Sequence, residues 1–460
     1  MSPAHARNKG SARSGRSPFF WLRYALSIAC AGVLLLAAGA QAQDVTDNAA
    51  LEADPAPADG ESVTEEEASV AVLLDDASTK DLHDDTTILR NVVALDDDAL
   101  VLFDAFRFWI GGAAQYDYYN FDGVYNHQGD GDRDEGSNIR RLEGIVRAQV
   151  LDWGEIKLQY DFDSGVARDA YFRFVSERPN TPVTVTVGNQ KEPIGMDNLY
   201  GNKFGMAQER SAPSSVFGNW RSLGVRLHRA FQLDAEQRRL DIFEEDSSFM
   251  TTSIGVFTSD LDERHDTDVA VTGRITGGIK RPELGAHLGF SGSYREGEFD
   301  QVRLRPEVQA ANKITLAEPI ANTQGIVAFE GAYSYRRLYV QAEAFYSQYQ
   351  GRVNGYGGGG YIQGSWFLTP DSREYNPRWG ILAPHKPSGR YSLEIFSRVS
   401  HTRGDDDVSG WNDFKSLTVG ASYYQRKFRA SINLVYGESR EPITNDEDGV
   451  ALNIRLQYLL

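Results

Sequence analysis

The chain has 460 residues, with 47 lysines and arginines against 65 aspartates and glutamates and a single cysteine. A formal net charge of −18 disfavours nucleic acid as a partner, and one thiol excludes a disulfide framework or a cysteine metal site. Beyond the first forty residues no stretch approaches the ~18 consecutive apolar residues of a membrane helix, so a membrane could be entered only as a closed β-barrel.

The chain opens with Arg7, Lys9, Arg13, Arg16 and Arg23, then an apolar run over 25–40, then Ala40-Gln41-Ala42. That is the order of a secretory signal peptide at 1–42, with cleavage expected after Ala42. Cys30 lies within the run and Ser27 stands three places before it, where a lipoprotein signal needs a bulky aliphatic residue, so the processed chain is read as free of thiols. Removing five of the 47 basic residues leaves 42 against 65 acidic ones, a net of −23. This balance argues against a generally anion-attracting surface. Residues 43–100 form an acidic preface, with Glu65-Glu66-Glu67 and Asp96-Asp97-Asp98 and only short apolar patches at 70–74 and 88–95. Such a composition reads as a disordered periplasmic extension; a short helical segment that assists oligomerisation is the other reading.

From Phe106 the texture changes to alternation. Phe106, Phe108, Ile110, Ala114, Tyr116 and Tyr118 share one parity, with Arg107, Trp109, Gln115 and Asp117 on the other. This is strand period. Leu142, Val146 and Ala148 repeat it against Arg141, Glu143 and Arg147; a turn at Asp152-Trp153-Gly154 leads to Ile156, Leu158 and Tyr160, alternating with Lys157, Gln159 and Asp161. Further strands are expected near 170–175, 183–188, 223–228, 251–258, 269–277, 287–295, 327–336, 338–349, 361–369, 391–401, 416–424, 430–436 and 450–458, sixteen in all. Charges in mid-strand suit a water-filled lumen and not a soluble core. Strand lengths near those of a tilted membrane strand and aromatics near strand ends point the same way. The fold class is therefore all-β, a transmembrane antiparallel β-barrel over 101–460 with both ends on the periplasmic side. Long loops are expected at 122–137, 191–221, 300–324 and 437–449, and the stretch 370–389 is long for its side of the barrel.

No catalytic constellation emerges. His83, His127, His228, His265, His287, His385 and His401 show no metal spacing and no nucleophile motif, so neither catalysis, cofactor nor metal is expected. The acidic loop 130–136 fails the EF-hand pattern, since Glu135 takes the glycine place and Arg141 the closing carboxylate place. The run 357–360 lacks a following Lys-Ser/Thr, cannot be a phosphate-cradling loop, and reads as a flexible loop tip. Of lumen parity are Arg141, Arg147, Lys157, Arg173, Arg226, Arg274 and Arg398, whose fixed guanidinium forks can pass an oxyanion along. Glu143, Asp161, Asp163, Asp169 and Glu394 share that parity. Either the basic groups line a selective pore, or acids and bases neutralise one another across the wall.

The segment Ile139-Arg140-Arg141-Leu142, the run from Asp152 to Phe162, Gly188-Asn189-Gln190-Lys191-Glu192-Pro193-Ile194-Gly195-Met196 with Glu209-Arg210, and Tyr361-Ile362-Gln363-Gly364-Ser365-Trp366-Phe367 resemble the phosphate-selective porin O and P family. The resemblance covers the chain from about residue 104. It implies an outer-membrane, sixteen-stranded barrel, usually a homotrimer, with the loop beginning near Lys191 folded into the lumen as a constriction. Lys191 and the inward arginines would then contact the permeating anion. Expected partners are outer-membrane lipid and lipopolysaccharide and small anionic or other hydrophilic solutes. The expected function is passive diffusion of such solutes with a preference for phosphate or other anions. The rival readings are a weakly selective or cation-preferring general porin, and a plugged structural or enzymatic barrel.

Overall fold

The computed structural model describes residues 100–103, 106–126, 134–151, 153–176, 183–218, 221–233, 247–259, 267–440 and 447–460. The expected signal peptide, all but the last residue of the acidic preface, most of the loop 130–136, and His83, His127 and His265 lie outside the described residues.

Sixteen antiparallel strands alternate down the chain: β1 (Phe106–Phe121), β2 (Asp134–Val150), β3 (Gly154–Asp161), β4 (Val166–Ser176), β5 (Val183–Lys191), β6 (Arg221–Gln232), β7 (Ser247–Thr258) and β8 (Thr267–Arg281). The second half comprises β9 (Leu284–Phe299), β10 (Ile320–Tyr335), β11 (Leu338–Val353), β12 (Gly355–Phe367), β13 (Ser392–Asp406), β14 (Gly410–Gln425), β15 (Phe428–Arg440) and β16 (Glu447–Leu459). Each strand pairs with the next, and β1 pairs with β16 from Ala113 opposite Leu459 to Phe121 opposite Ala451. The sheet therefore closes and leaves no edge, the condition for strands to cross a bilayer.

The period-2 pattern is realised with its apolar parity outward. Phe329, Ile362 and Val399 are exposed, whereas their sequence neighbours Glu330, Gln363 and Arg398 are buried inside. A soluble β-sandwich would have the opposite distribution. Exposed aromatics form two bands: Tyr335, Trp366, Tyr391 and Tyr458 at one end, Tyr116, Tyr294, Tyr356 and Tyr436 towards the other, where interfacial girdles belong. Phe121 and Phe367 do not join them, because both point into the lumen and are 2% and 0% exposed.

One end of the barrel is closed by tight turns. Residues 282–283, 336–337 and 426–427 are two-residue connections, and Arg336 and Arg426 take positive φ values of 51° and 50°, matching the right-handed strand twist. The run 357–360 is not a loop tip: Gly357, Gly358, Gly359 and Gly360 lie within β12, paired to Ala344–Ser347 on one side and His401–Gly404 on the other. A Cβ on Gly357 would come within 2.8 Å of the Phe217 ring, so the missing side chain there makes room for an inserted loop, a use of strand glycine that composition alone does not separate from a turn.

Three connections fold inward. Loop 192–220, between β5 and β6, carries the short helices α1 (Met196–Tyr200) and α2 (Ala212–Phe217). Loop 300–319 carries a small hairpin of Val302–Leu304 with Ile314–Ala317. Residues 368–391, at the tight-turn end, carry another, Tyr375–Asn376 with Ile381–Leu382. The dry cores of the molecule lie between these inserts and the wall: Phe121, Tyr125, Phe217, Leu304, Leu316 and Phe414 in one, Met196, Tyr200, Met206, Phe249, Tyr375 and Leu382 in the other.

Candidate functional site

Loop 192–220 is seated by buried carboxylates. Glu192 accepts hydrogen bonds from Ser222 Oγ and Thr272 Oγ1, each at 2.6 Å, and from Arg295 at 2.5 Å. Glu343 of β11 accepts from the backbone N–H groups of Met196 and Asp197 at the start of α1, satisfying donors that a helix leaves open. At the other end of α1, Lys191 Nζ donates to the carbonyls of Asn198 and Leu199 at 2.6 and 3.1 Å. Glu209 is gripped by Arg140, with two contacts at 3.0 and 3.1 Å, and by Arg455 at 2.7 Å. Burial would raise the Glu209 carboxyl, but these two guanidiniums outweigh it and hold it well below the usual range.

The insert 368–391 is locked just as firmly. Arg373 pairs with Glu394 at 2.5 Å and donates to the Phe204 carbonyl at 3.0 Å, tying this insert to loop 192–220. The Trp379 ring stacks on His228 at 4.5 Å, and His228 Nε2 meets the Arg378 carbonyl at 2.8 Å. Gly380 has φ +60°, and a Cβ there would lie 2.6 Å from Thr276 Oγ1, so only glycine fits.

Between the inserts and the β2–β9 side of the wall runs a cavity of about 1230 Å³. Fifteen lysines and arginines line it against seven aspartates and glutamates, and although Glu143, Glu155 and Glu330 pair with lining cations from outside the lining, a basic excess remains inside an acidic chain. Arg141, Arg147, Lys157, Arg173, Lys191, Arg226 and Arg274 are all among the lining residues. Arg398 points inward but does not reach the cavity; its guanidinium is held by Glu307 at 2.7 Å and by the Glu209 carbonyl at 3.0 Å.

Both sequence readings of these bases have counterparts in the wall. Arg141 meets Glu143 at 2.8 Å, Lys157 meets Asp169 at 2.5 Å, and Arg173 meets Glu155 at 2.9 Å. Arg274 is bound to Glu330 and to the Trp379 and Gly380 carbonyls. Arg147 and Arg226, by contrast, have no ion-pair partner among the described residues, nor do Arg303 and Lys313. Lys203, Arg210, Arg303, Arg305 and Lys313 lie on the inserts, where strand parity does not apply. Glu209-Arg210 within the family-like motif was the only signal for any of them. Burial pushes the Arg210 guanidinium down to about 10 and lowers the Lys203 ammonium.

A closed barrel with an apolar outer belt, a charged lumen and inward-folded loops is an outer-membrane channel of the porin class. The family model for the phosphate-selective porins O and P matches residues 108–460, and the chain belongs to that family. It is 24% identical over 406 residues to porin O of Pseudomonas aeruginosa, covering 77% of this chain and 88% of that protein. Among solved structures, the outer-membrane protein OmpT of Vibrio cholerae aligns with a TM-score of 0.48 and 10% identity over 78% of this chain and 99% of its own. An anion-selective porin of Comamonas acidovorans aligns with a TM-score of 0.46 and 9% identity over 77% and 100%.

Proposed function

We propose that this porin conducts small anions of the phosphate class by passive diffusion, with selectivity set inside the cavity by Lys191, Arg141, Arg147, Arg173, Arg226 and Arg274, and with Arg398 acting as a brace. The observation that carries the reading is the excess of fifteen basic over seven acidic side chains along the cavity of a chain whose net charge is −18. A low-dielectric wall focuses such a field on the passing ion, whatever the charge of the distant surface. Among the described residues Arg147, Arg226, Arg303 and Lys313 line the cavity without an ion-pair partner, and they contribute to that field. The chain is exported by cleavage after Ala42, residues 43–100 form the acidic periplasmic extension, and the barrel works as a homotrimer in contact with outer-membrane lipid and lipopolysaccharide.

The test is the reversal potential of the purified protein in a planar bilayer under a potassium chloride gradient, repeated with phosphate added. An anion-favouring potential with phosphate block supports the reading. A cation-favouring potential without block leaves a general porin and ends the anion assignment.

A further inference from the structure

We infer that the cavity prefers organic anions with an apolar body, aryl phosphates among them, over anions that are all headgroup. This rests on the anion-conducting reading above and names its substrate class. The cavity is not uniformly charged: Trp379, Ile381, Ala383 and Pro384 of the tight-turn insert line it, together with Leu199 and Phe204 of loop 192–220. The stretch from Trp379 to Pro384 contains no charged side chain, although the cavity around it is dense in charge. Ile381 and Phe204 pack with part of their surface on a buried core and turn the rest to the passage.

The apolar wall adjoins the cations at two places. The Arg173 guanidinium lies 4.9 Å from the Trp379 ring, and Lys203 Nζ lies 5.5 Å from the Phe204 ring. A solute with a charged head and an apolar body can therefore place both at once. The wall is also preformed, because Trp379 is held by His228 stacking and by Arg274 on its carbonyl at 3.1 Å. Little ordering is left to oppose binding, and apolar surface facing water in the lumen gains free energy when a solute covers it.

The experiment compares block of the chloride current by methyl phosphate and phenyl phosphate, whose identical headgroups are both dianionic at about pH 8. Partial burial of one ring should give phenyl phosphate a roughly tenfold lower half-blocking concentration. That ratio should fall towards one in Ile381→Ser and, as a variant at a position outside the cores, in Ala383→Asn. Equal block by the two esters, or a ratio unchanged in both variants, overturns the inference while the anion reading stands. Failure of either ester to block, with a cation-favouring potential, brings down the anion reading and this inference with it.

Discussion

The same residue type does two different things on two stretches of the lumen wall. On the β13–β16 side, inward arginines hold the inserted loops: Arg398 binds the Glu209 carbonyl and Glu307 of loop 300–319, Arg429 the Gly205 and Met206 carbonyls, and Arg455 Glu209 and the Gln208 carbonyl together with Asp117 of β1. On the β2–β6 side Arg147 and Arg226 line the cavity without an ion pair among the described residues. Inward parity therefore does not define a pore residue. What decides is what each side chain meets inside the barrel: a guanidinium against a carboxylate or carbonyl of an inserted loop becomes a brace, as Arg140 of β2 also is on Glu209, and one that lines the cavity without an ion pair, such as Arg147, adds to its field.

The largest effect that would break this comparison is expected at a brace. Arg398→Ala strands the buried Glu307 carboxylate, and loss of one partner of such a pair costs about 3–5 kcal/mol. Denaturant unfolding of the folded barrel in detergent should show it, with larger and noisier single-channel conductance as loops 192–220 and 300–319 loosen. A stability equal to wild type would remove the distinction between the two stretches.

Next in size is a pH effect on the tight-turn insert. His385 packs against Phe367 at 4.6 Å and lies near Arg373, and burial followed by the Arg373 charge pushes its imidazole down to about 4. Above its ordinary value near 6.5 the ring is neutral folded or unfolded and contributes nothing. As pH falls from 6.5 towards 4 the unfolded chain takes up a proton that the folded chain refuses, so stability drops, by on the order of 3 kcal/mol in full. Melting of the folded barrel between pH 7 and 5 should show this fall, and His385→Asn should reduce it.

Smaller in stability but sharper for the comparison are the cavity residues. Arg147→Gln, at a half-buried position with no ion pair among the described residues, should cost about 1 kcal/mol or less while moving the reversal potential measurably towards cations. The least specific effect is screening: raising salt from about 0.1 M to 1 M shortens the Debye length from ~10 to ~3 Å, so anion preference should weaken while the conductance ratio of Arg398→Ala to wild type stays the same.

The strand pattern was legible from residue order because a barrel wall is a local object. Each position faces lipid or lumen by parity alone, and all sixteen expected strands have counterparts, most of them longer than their apolar cores suggested. The glycine run in β12 reads as a turn for the same reason: glycine signals a turn locally, whereas Gly357 answers to Phe217, 140 positions earlier in the chain, and Gly359 to the His401 carbonyl of the neighbouring strand.

The sequence by itself determined the class of the protein, a closed barrel with a basic and acidic lumen parity, because alternation and strand length depend only on neighbours a few residues apart. Tertiary structure alone decided which cations line the cavity. Loops 192–220, 300–319 and 368–391 carry no period, so their burial depends on carboxylates supplied by distant strands, such as Glu343 under α1 and Glu394 under Arg373. Those long-range contacts divide the inward bases into braces and pore lining, and they make the passage basic inside an acidic chain.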